Sequence, residues 1–306
     1  MTPNSYLDPA ALSKIGRLDL RAKLIVEGFM SGMHRSPFHG FSVEFAQYRG
    51  YVPGDDTKHI DWRVYAKSGR YTVKQFEEET NLTAHILIDA SGSMAYRSSK
   101  AADKLNKLEY AKLLTACLSH LILGQSDAAA VGILDTGLRE FVEPSTKEMH
   151  LQRICGVLER TEASSESNIG GVMSDMAVRM KRRGIVMLIS DLFDEPEKLF
   201  KAVSRLRHRG QEVVVFHLLD ETELSFPFEG QVRFRGLEGD VEAICRPRML
   251  RELYLKEMED FILQVKTGCR RNQADYVQIN TRTPMDVALS AYLVRRMRVA
   301  AGRSGR

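Results

Sequence analysis

Two apolar stretches of the sequence end at an aspartate, and the residues around these aspartates are suited to binding a metal ion. The first continues as Asp89-Ala90-Ser91-Gly92-Ser93, an Asp-x-Ser-x-Ser pattern. The second, Ile185 to Ser190, is followed by Asp191. Carboxylate and hydroxyl oxygens are hard ligands of the kind that Mg²⁺ prefers, with Mn²⁺ as the alternative. A further hydroxyl from the loop between Ser164 and Asn168 would complete the set.

The Asp-x-Ser-x-Ser pattern also has a structural interpretation. Serine and aspartate are common where a strand turns into a helix, because their side chains cap backbone groups there. The position of the pattern favours the metal, since functional groups of open α/β sheets gather where strands end. A second strand that ends at Asp191, about a hundred residues further on, strengthens this interpretation.

Short apolar segments alternate with segments of helical periodicity from residue 84 onwards, which predicts an α/β fold. The expected architecture is a doubly wound, mainly parallel sheet of the Rossmann-like kind, with helices on both faces. The predicted strands are Ala84 to Asp89, Ala129 to Leu134, Leu138 to Val142, Ile185 to Ser190, Glu212 to Leu219 and Asp275 to Ile279. The predicted helices are Leu108 to Gly124, 146–160, 169–182, 195–208 and a long one that begins near Pro247.

The pattern divides the chain into three parts. Residues 1–82 hold an N-terminal helix and a small β-rich module, in which Phe41 to Phe45 and Tyr71 to Phe76 have strand character. Residues 83–280 form the α/β domain, with an excursion from the sheet at about 221–246. Residues 281–306 form a C-terminal helix and a basic tail. Trp62, the single tryptophan, is expected to anchor the core of the small module.

The composition excludes several classes of protein. A net charge of +4 is far from that of a dedicated nucleic-acid binder. No apolar stretch approaches the roughly 20 residues of a transmembrane helix, and the first residues do not resemble a secretory signal, so a cytoplasmic location is expected. The four cysteines are far apart and are expected to be reduced and structural. The arginine-rich C-terminus leaves peripheral contact with an anionic membrane, or with a protein partner, open.

The residues singled out above resemble the metal-ion-dependent adhesion site of von Willebrand factor A domains. In that family an aspartate, two serines and a loop threonine surround Mg²⁺, and a carboxylate of the partner fills the open coordination position. The resemblance implies metal-site roles for Asp89, Ser91, Ser93 and Asp191. Ser167 stands where the family has threonine, so the resemblance implies that its hydroxyl is the loop ligand.

The segment before this domain resembles the bacterial proteins of uncharacterised domain family fifty-eight. The resemblance rests on Tyr48-Arg49-x-Tyr51-x-Pro53-Gly54-Asp55-Asp56 and on Ile60-Asp61-Trp62, and it extends over about residues 30–295. Proteins of that family carry a von Willebrand A-like domain behind this signature. Their genes often accompany a MoxR-type AAA+ ATPase, which implies a chaperone-like or assembly partnership.

Two functions follow as expectations. The first is a non-catalytic, metal-dependent protein-binding module, which captures an Asp or Glu of a partner and acts as an adaptor for a MoxR-type AAA+ ATPase. The second is a Mg²⁺-dependent hydrolase that uses the same pocket. The sequence favours the first, because it has no Gly-x-Ser-x-Gly elbow, no phosphate-binding Gly-rich loop and no His-Glu-x-x-His motif.

Overall fold

The structure is a computed structural model that describes residues 17–34, 48–50, 62–74, 82–98, 105–147, 149–164, 166–180, 182–237 and 242–290. The helices are α1 (Leu18–His34), α2 (Trp62–Ser68), α3 (Lys107–Gly124), α4 (His150–Arg160), α5 (Ile169–Arg179), α6 (Pro196–His208), α7 (Glu221–Ser225) and α8 (Pro247–Arg271). The strands are β1 (Tyr48–Gly50), β2 (Thr72–Lys74), β3 (Thr83–Asp89), β4 (Ala128–Leu134), β5 (Leu138–Ser145), β6 (Gly184–Ser190), β7 (Glu212–Leu219), β8 (Val232–Arg235), β9 (Glu242–Cys245) and β10 (Asp275–Asn280). Residues 285–290 are also helical.

A six-stranded sheet organises the larger part of the chain. Its strand order is β10-β7-β6-β3-β4-β5, and every neighbouring pair is parallel except β4 and β5. The strand β6 is buried along its whole length and β3 from its second residue, as expected for strands covered on both faces. The predicted α/β fold with a mainly parallel sheet is confirmed.

Helices cover both faces of this sheet. On one face α5, α6 and α8 bury a cluster that includes Val172, Leu199 and Val265 against side chains of β3, β6 and β7. On the other face α3 packs against β3 and β4, and α4 packs on α3. The start of α1 packs with this second layer, because the Leu18 N–H donates to the Glu159 carboxylate at 3.0 Å.

The chain divides into two compact units, Met30–Asn81 and the remainder, so α1 begins within the larger unit. In the smaller unit β1 and β2 form an antiparallel pair, and α2 lies between them in sequence. The helix α2 was not predicted. The domain boundaries inferred from sequence at residues 82 and 280 stay a prediction.

The expectation that Trp62 anchors a core is wrong. Trp62 is the first residue of α2, its side chain is 58% exposed, and it meets Tyr65 edge to face. The proposed strand from Phe41 to Phe45 lies outside the described residues. The same holds for the arginines at the C-terminus, beyond residue 290.

Close contact between α5 and α6 depends on Gly170. A Cβ atom at this position would lie 2.5 Å from the Lys198 Cβ and 2.7 Å from the Lys198 carbonyl carbon. Both distances are too short for carbon atoms, and one of these atoms belongs to the backbone, so the helices would have to move apart.

We therefore predict that Gly170→Ala lowers the free energy of unfolding by about 1–3 kcal/mol, the usual cost of overpacking. Gly156→Ala is the matched control, because Gly156 lies within α4 and a Cβ there meets nothing within 4 Å. The control should gain about 0.5–1 kcal/mol through helix propensity. Urea unfolding of the three proteins measures both effects, and equal stability of the two variants would contradict the close packing.

Candidate metal centre

Four of the five parallel strands end at an aspartate or are directly followed by one, at the carboxyl ends of the strands. Asp89 is the last residue of β3, and Asp135, Asp191 and Asp220 directly follow β4, β6 and β7. The strands β3 and β6 are neighbours in parallel register, with Ile88 beside Ile189. The sheet therefore brings Asp89 and Asp191 to adjacent strand ends, as the sequence predicted.

The Asp89 carboxylate is buried and is held by two hydrogen bonds. One oxygen, Oδ1, accepts from the Ser91 N–H at 2.8 Å, and Oδ2 accepts from the Ser190 hydroxyl at 2.7 Å. Ser190 Oγ in turn accepts from the Leu192 N–H at 2.8 Å, which fixes the hydroxyl as the donor to Asp89. Burial and the nearby Asp191 carboxylate raise the pKa of Asp89 to about 7. A cation beside Asp89 would reverse this shift.

The two serines of the Asp-x-Ser-x-Ser pattern lie next to each other. Ser91 Oγ and Ser93 Oγ are 3.1 Å apart, at the start of a short 3₁₀ turn, Gly92–Ala95. Met94 from the same turn is fully buried and anchors it in the core. The five-residue segment that carries the Asp89 carboxylate and both hydroxyls is thus held by β3 on one side and by the buried Met94 on the other.

The Asp191 carboxylate contacts a lysine side chain and a backbone N–H. Its Oδ2 lies 2.7 Å from the Lys107 ammonium, and its Oδ1 accepts from the Phe193 N–H at 3.3 Å. The next residue, Leu192, is buried and has a left-handed φ of 59°. Strained backbone of this kind is concentrated at functional sites, and here it turns the chain sharply behind Asp191.

Lys107 is a buried cation that connects three elements of this edge. It is the first residue of α3, its side chain is 0% exposed, and its ammonium also lies 2.6 Å from Glu223 Oε1 of α7. The ring of Phe193 lies 5.0 Å from the same nitrogen. Burial by itself would lower the pKa of Lys107, but Asp191 and Glu223 outweigh it and hold the pKa above its ordinary value. Lys107 is therefore charged at neutral pH.

The loop that was expected to supply a further hydroxyl is tied to the same edge. The Ser164 N–H donates to the Ala90 carbonyl at 2.7 Å, and the Asn168 N–H donates to the Asp135 carbonyl at 2.8 Å. The Ser164 hydroxyl donates to Asp135 Oδ2 at 3.3 Å. Ser167 Oγ is buried without a hydrogen-bond partner among the described residues. A buried hydroxyl without a partner is costly, which makes Ser167 rather than Ser164 the loop residue available to a ligand.

These donors fit a hard divalent cation. Lys107 pairs with two of the three carboxyl groups of the cluster, Asp191 and Glu223, whereas the Asp89 carboxyl group forms no ion pair with any described residue. Within the described ranges no group of three His, Cys, Asp or Glu side chains could hold a metal. A metal site here must therefore draw on serine hydroxyls, and such oxygen ligands suit Mg²⁺ or Mn²⁺.

Sequence reasoning missed two members of this cluster. Lys107 and Glu223 are 116 residues apart, and neither belongs to a recognisable motif. Ser190 was visible beside Asp191, but its hydrogen bond to Asp89 depends on the strand order β6-β3.

Comparison with known proteins shows a match between this chain and one protein family. The family model described as "Protein of unknown function DUF58" matches residues 47–260, which is more than half of the chain. The chain belongs to the DUF58 family. This finding confirms the resemblance drawn from the Tyr-Arg-x-Tyr-x-Pro-Gly-Asp-Asp signature.

The DUF58 chain is also similar to individual proteins. It is 26% identical over 191 residues to "Uncharacterized protein Rv1480" of Mycobacterium tuberculosis, a match that covers 60% of this chain and 58% of that protein. The chain thus spans little more than half the length of the curated relative. None of the helices in the described part of this DUF58 chain is long and apolar enough to cross a membrane.

Solved structures similar to this DUF58 protein include two with low identity. The conserved hypothetical protein BatB from Bacteroides thetaiotaomicron is 16% identical with a TM-score of 0.44, covering 71% of this chain and 99% of that one. The SpRpn10 VWA domain is 10% identical with a TM-score of 0.38, covering 68% and 93%.

For this DUF58 protein we predict that Lys107→Met lowers the free energy of unfolding by about 3–5 kcal/mol, because two buried carboxylates lose their counter-ion. Arg97→Met is the matched control, since it removes a partly exposed pair with Glu109 and should cost less than about 1 kcal/mol. Adding Asp191→Asn and Glu223→Gln to Lys107→Met should recover part of the loss. Denaturant unfolding measures all four proteins, and equal losses for Lys107→Met and Arg97→Met would contradict the buried ion pair.

Proposed function

We propose that this DUF58 protein is a non-catalytic, metal-dependent protein-binding module. Its site consists of Asp89, Ser91 and Ser93, with Ser167 from the neighbouring loop and Asp191 behind them. The observation that carries the proposal is the Asp89 carboxylate, which is buried and has no ion-pair partner among the described residues, and which is followed in the chain by two serine hydroxyls that lie 3.1 Å apart. A bound Mg²⁺ or Mn²⁺ would supply a positive charge with an open coordination position for a carboxylate of the partner.

Each residue of the proposed site has a distinct task. Asp89 and the two serines are the candidates for direct contact with the cation. Asp191 is already engaged by Lys107 and by the Phe193 N–H, so we assign it to orientation and charge rather than to direct ligation. Ser167 is the loop ligand because its hydroxyl is otherwise unsatisfied.

His217 contacts the backbone of Asp191, and both of its ring nitrogens are engaged. Its Nε2 contacts the Asp191 carbonyl oxygen at 2.9 Å, and its Nδ1 contacts the Tyr276 hydroxyl at 2.7 Å. Burial lowers the pKa of His217 to about 4. With both nitrogens engaged and a low basicity, His217 is a poor candidate for the general base that would activate a water molecule.

The partners that we propose follow from the chemistry of the site and from the resemblance noted in the sequence. An open position on a divalent cation selects an Asp or Glu side chain of another protein. A MoxR-type AAA+ ATPase is the proposed partner machine, with this chain as its adaptor in chaperone-like assembly. A cytoplasmic location suits such a partnership.

The proposal is tested by affinity capture from a lysate of the organism that encodes the chain. The baits are the wild type in Mg²⁺, the wild type in EDTA, Asp89→Asn and the control Asp260→Asn, which changes an exposed aspartate of α8. We expect an AAA+ ATPase, or a specific client, with the wild type and with Asp260→Asn in Mg²⁺. EDTA and Asp89→Asn should abolish its recovery. Recovery of the same proteins by all four baits would contradict a metal-dependent module.

A further inference from the structure

A second surface lies in the groove between α5 and α6, separate from the hydrogen-bonded cluster around Asp89. The groove has a volume of about 600 Å³. Four basic side chains line it, and we call it the basic groove; they are Arg179, Lys198, Lys201 and Arg205. Asp175 is the acidic residue among the lining side chains, so the surface has a clear positive excess.

The four cations of the basic groove differ in their ion pairing. Lys198 forms an exposed pair with Glu195 at 2.8 Å. Arg179, Lys201 and Arg205 form no ion pair with any other described residue, and all three are exposed. Unpaired cations held along one groove attract an anionic ligand and raise its rate of association.

The spacing of these cations favours an extended ligand. Lys198, Lys201 and Arg205 are three and four residues apart on one face of α6, which spreads them over about 10 Å. An extended peptide covers that distance with about three residues. The apolar residues of the lining are the half-buried Leu138 and the buried Val172 and Met176. This lining suits a segment in which acidic and apolar residues alternate.

A compact phosphate ligand is less well matched. Such a ligand needs converging donors, and the free N–H groups at the start of a helix would be the natural ones. Here the start of α5 is already capped, because the Gly171 N–H donates to Asn168 Oδ1 at 3.3 Å and the Ile169 N–H donates to Asp194 Oδ2 at 3.0 Å.

We infer that the basic groove binds an extended acidic segment of a protein partner. The groove extends to Asn168, which follows Ser167 in the chain. A bound segment that leaves the groove at Asn168 would therefore lie next to the loop of the candidate metal centre. The binding itself uses the side chains of α5 and α6 and does not depend on the proposed metal. It therefore holds or fails independently of the proposed function.

The test uses fluorescence anisotropy to measure how tightly a labelled peptide binds the full chain. The peptide carries fluorescein, has about ten residues, and alternates Glu with Leu and Ser. A matched peptide with Gln in place of Glu is the control probe. EDTA is present throughout, so that the candidate metal centre contributes nothing. The variants are Lys201→Glu with Arg205→Glu and, as a control of equal charge change, Lys147→Glu with Arg153→Glu, which alters two exposed residues in and just before α4.

We expect the Glu peptide to bind the wild type at least about tenfold more tightly than the Gln peptide, and to weaken as NaCl screens the charges. The groove variant should lose at least about tenfold in affinity, whereas the control variant should change less than about twofold. Thermal unfolding verifies that both variants fold; if the groove variant does not, Lys201→Gln with Arg205→Gln replaces it.

Three results would overturn the inference. The first is equal binding of the Glu and Gln peptides, and the second is an equal loss of affinity in the groove and control variants. The third is displacement of the peptide by inorganic phosphate or ATP at submillimolar concentration, because it would identify a phosphate ligand instead. A failed capture experiment with intact peptide binding would refute the metal-dependent function alone.

Discussion

The candidate centre depends on the ion pairs of the buried Lys107 ammonium. A buried charge is tolerated only when it is paired, and Lys107 is paired with Asp191 at the end of β6 and with Glu223 in α7. The pairing fixes the start of α3 and α7 to the edge of the sheet. It also satisfies Asp191, so that Asp89 is the carboxylate of the cluster without a cation. The arrangement therefore separates a carboxylate that holds the structure from one that is available to a ligand.

The order of strands determines what these residues can do together. Because β3 lies between β6 and β4, Asp89 receives a hydrogen bond from Ser190 on one side, and the loop bearing Ser167 is tied to Asp135 on the other. The same loop leads into α5, whose contact with α6 through Gly170 forms the basic groove. The loop at Ser167 and Asn168 thus connects the candidate site for one carboxylate with the proposed surface for further acidic residues. Both features favour acidic protein partners.

Much of this architecture could be predicted from the sequence, because it depends on local patterns. The apolar runs of β6 and β7 were placed to within a residue, and Asp89 and Asp191 came together because parallel strands end at one edge. The Lys107 pairs could not be predicted in this way, since they join residues 84 and 116 positions apart and depend on how α3 and α7 dock. Trp62 was misjudged because its size suggests burial, whereas exposure depends on what packs against α2. The metal-site roles of Asp89, Ser91, Ser93, Ser167 and Asp191 stay predictions.

The most direct test of the account is a titration of the purified, metal-free chain with Mn²⁺, followed by electron paramagnetic resonance of the free ion and repeated with Mg²⁺ as competitor. The account predicts one site in the wild type and in Asp260→Asn, displacement by Mg²⁺, and loss of the site in Asp89→Asn. Asp89→Asn should remain folded in the absence of metal, because it replaces a buried carboxyl group whose pKa is already above its ordinary value. A wild-type chain that binds no Mn²⁺, or an Asp89→Asn variant that binds it equally well, would contradict a metal centre at Asp89.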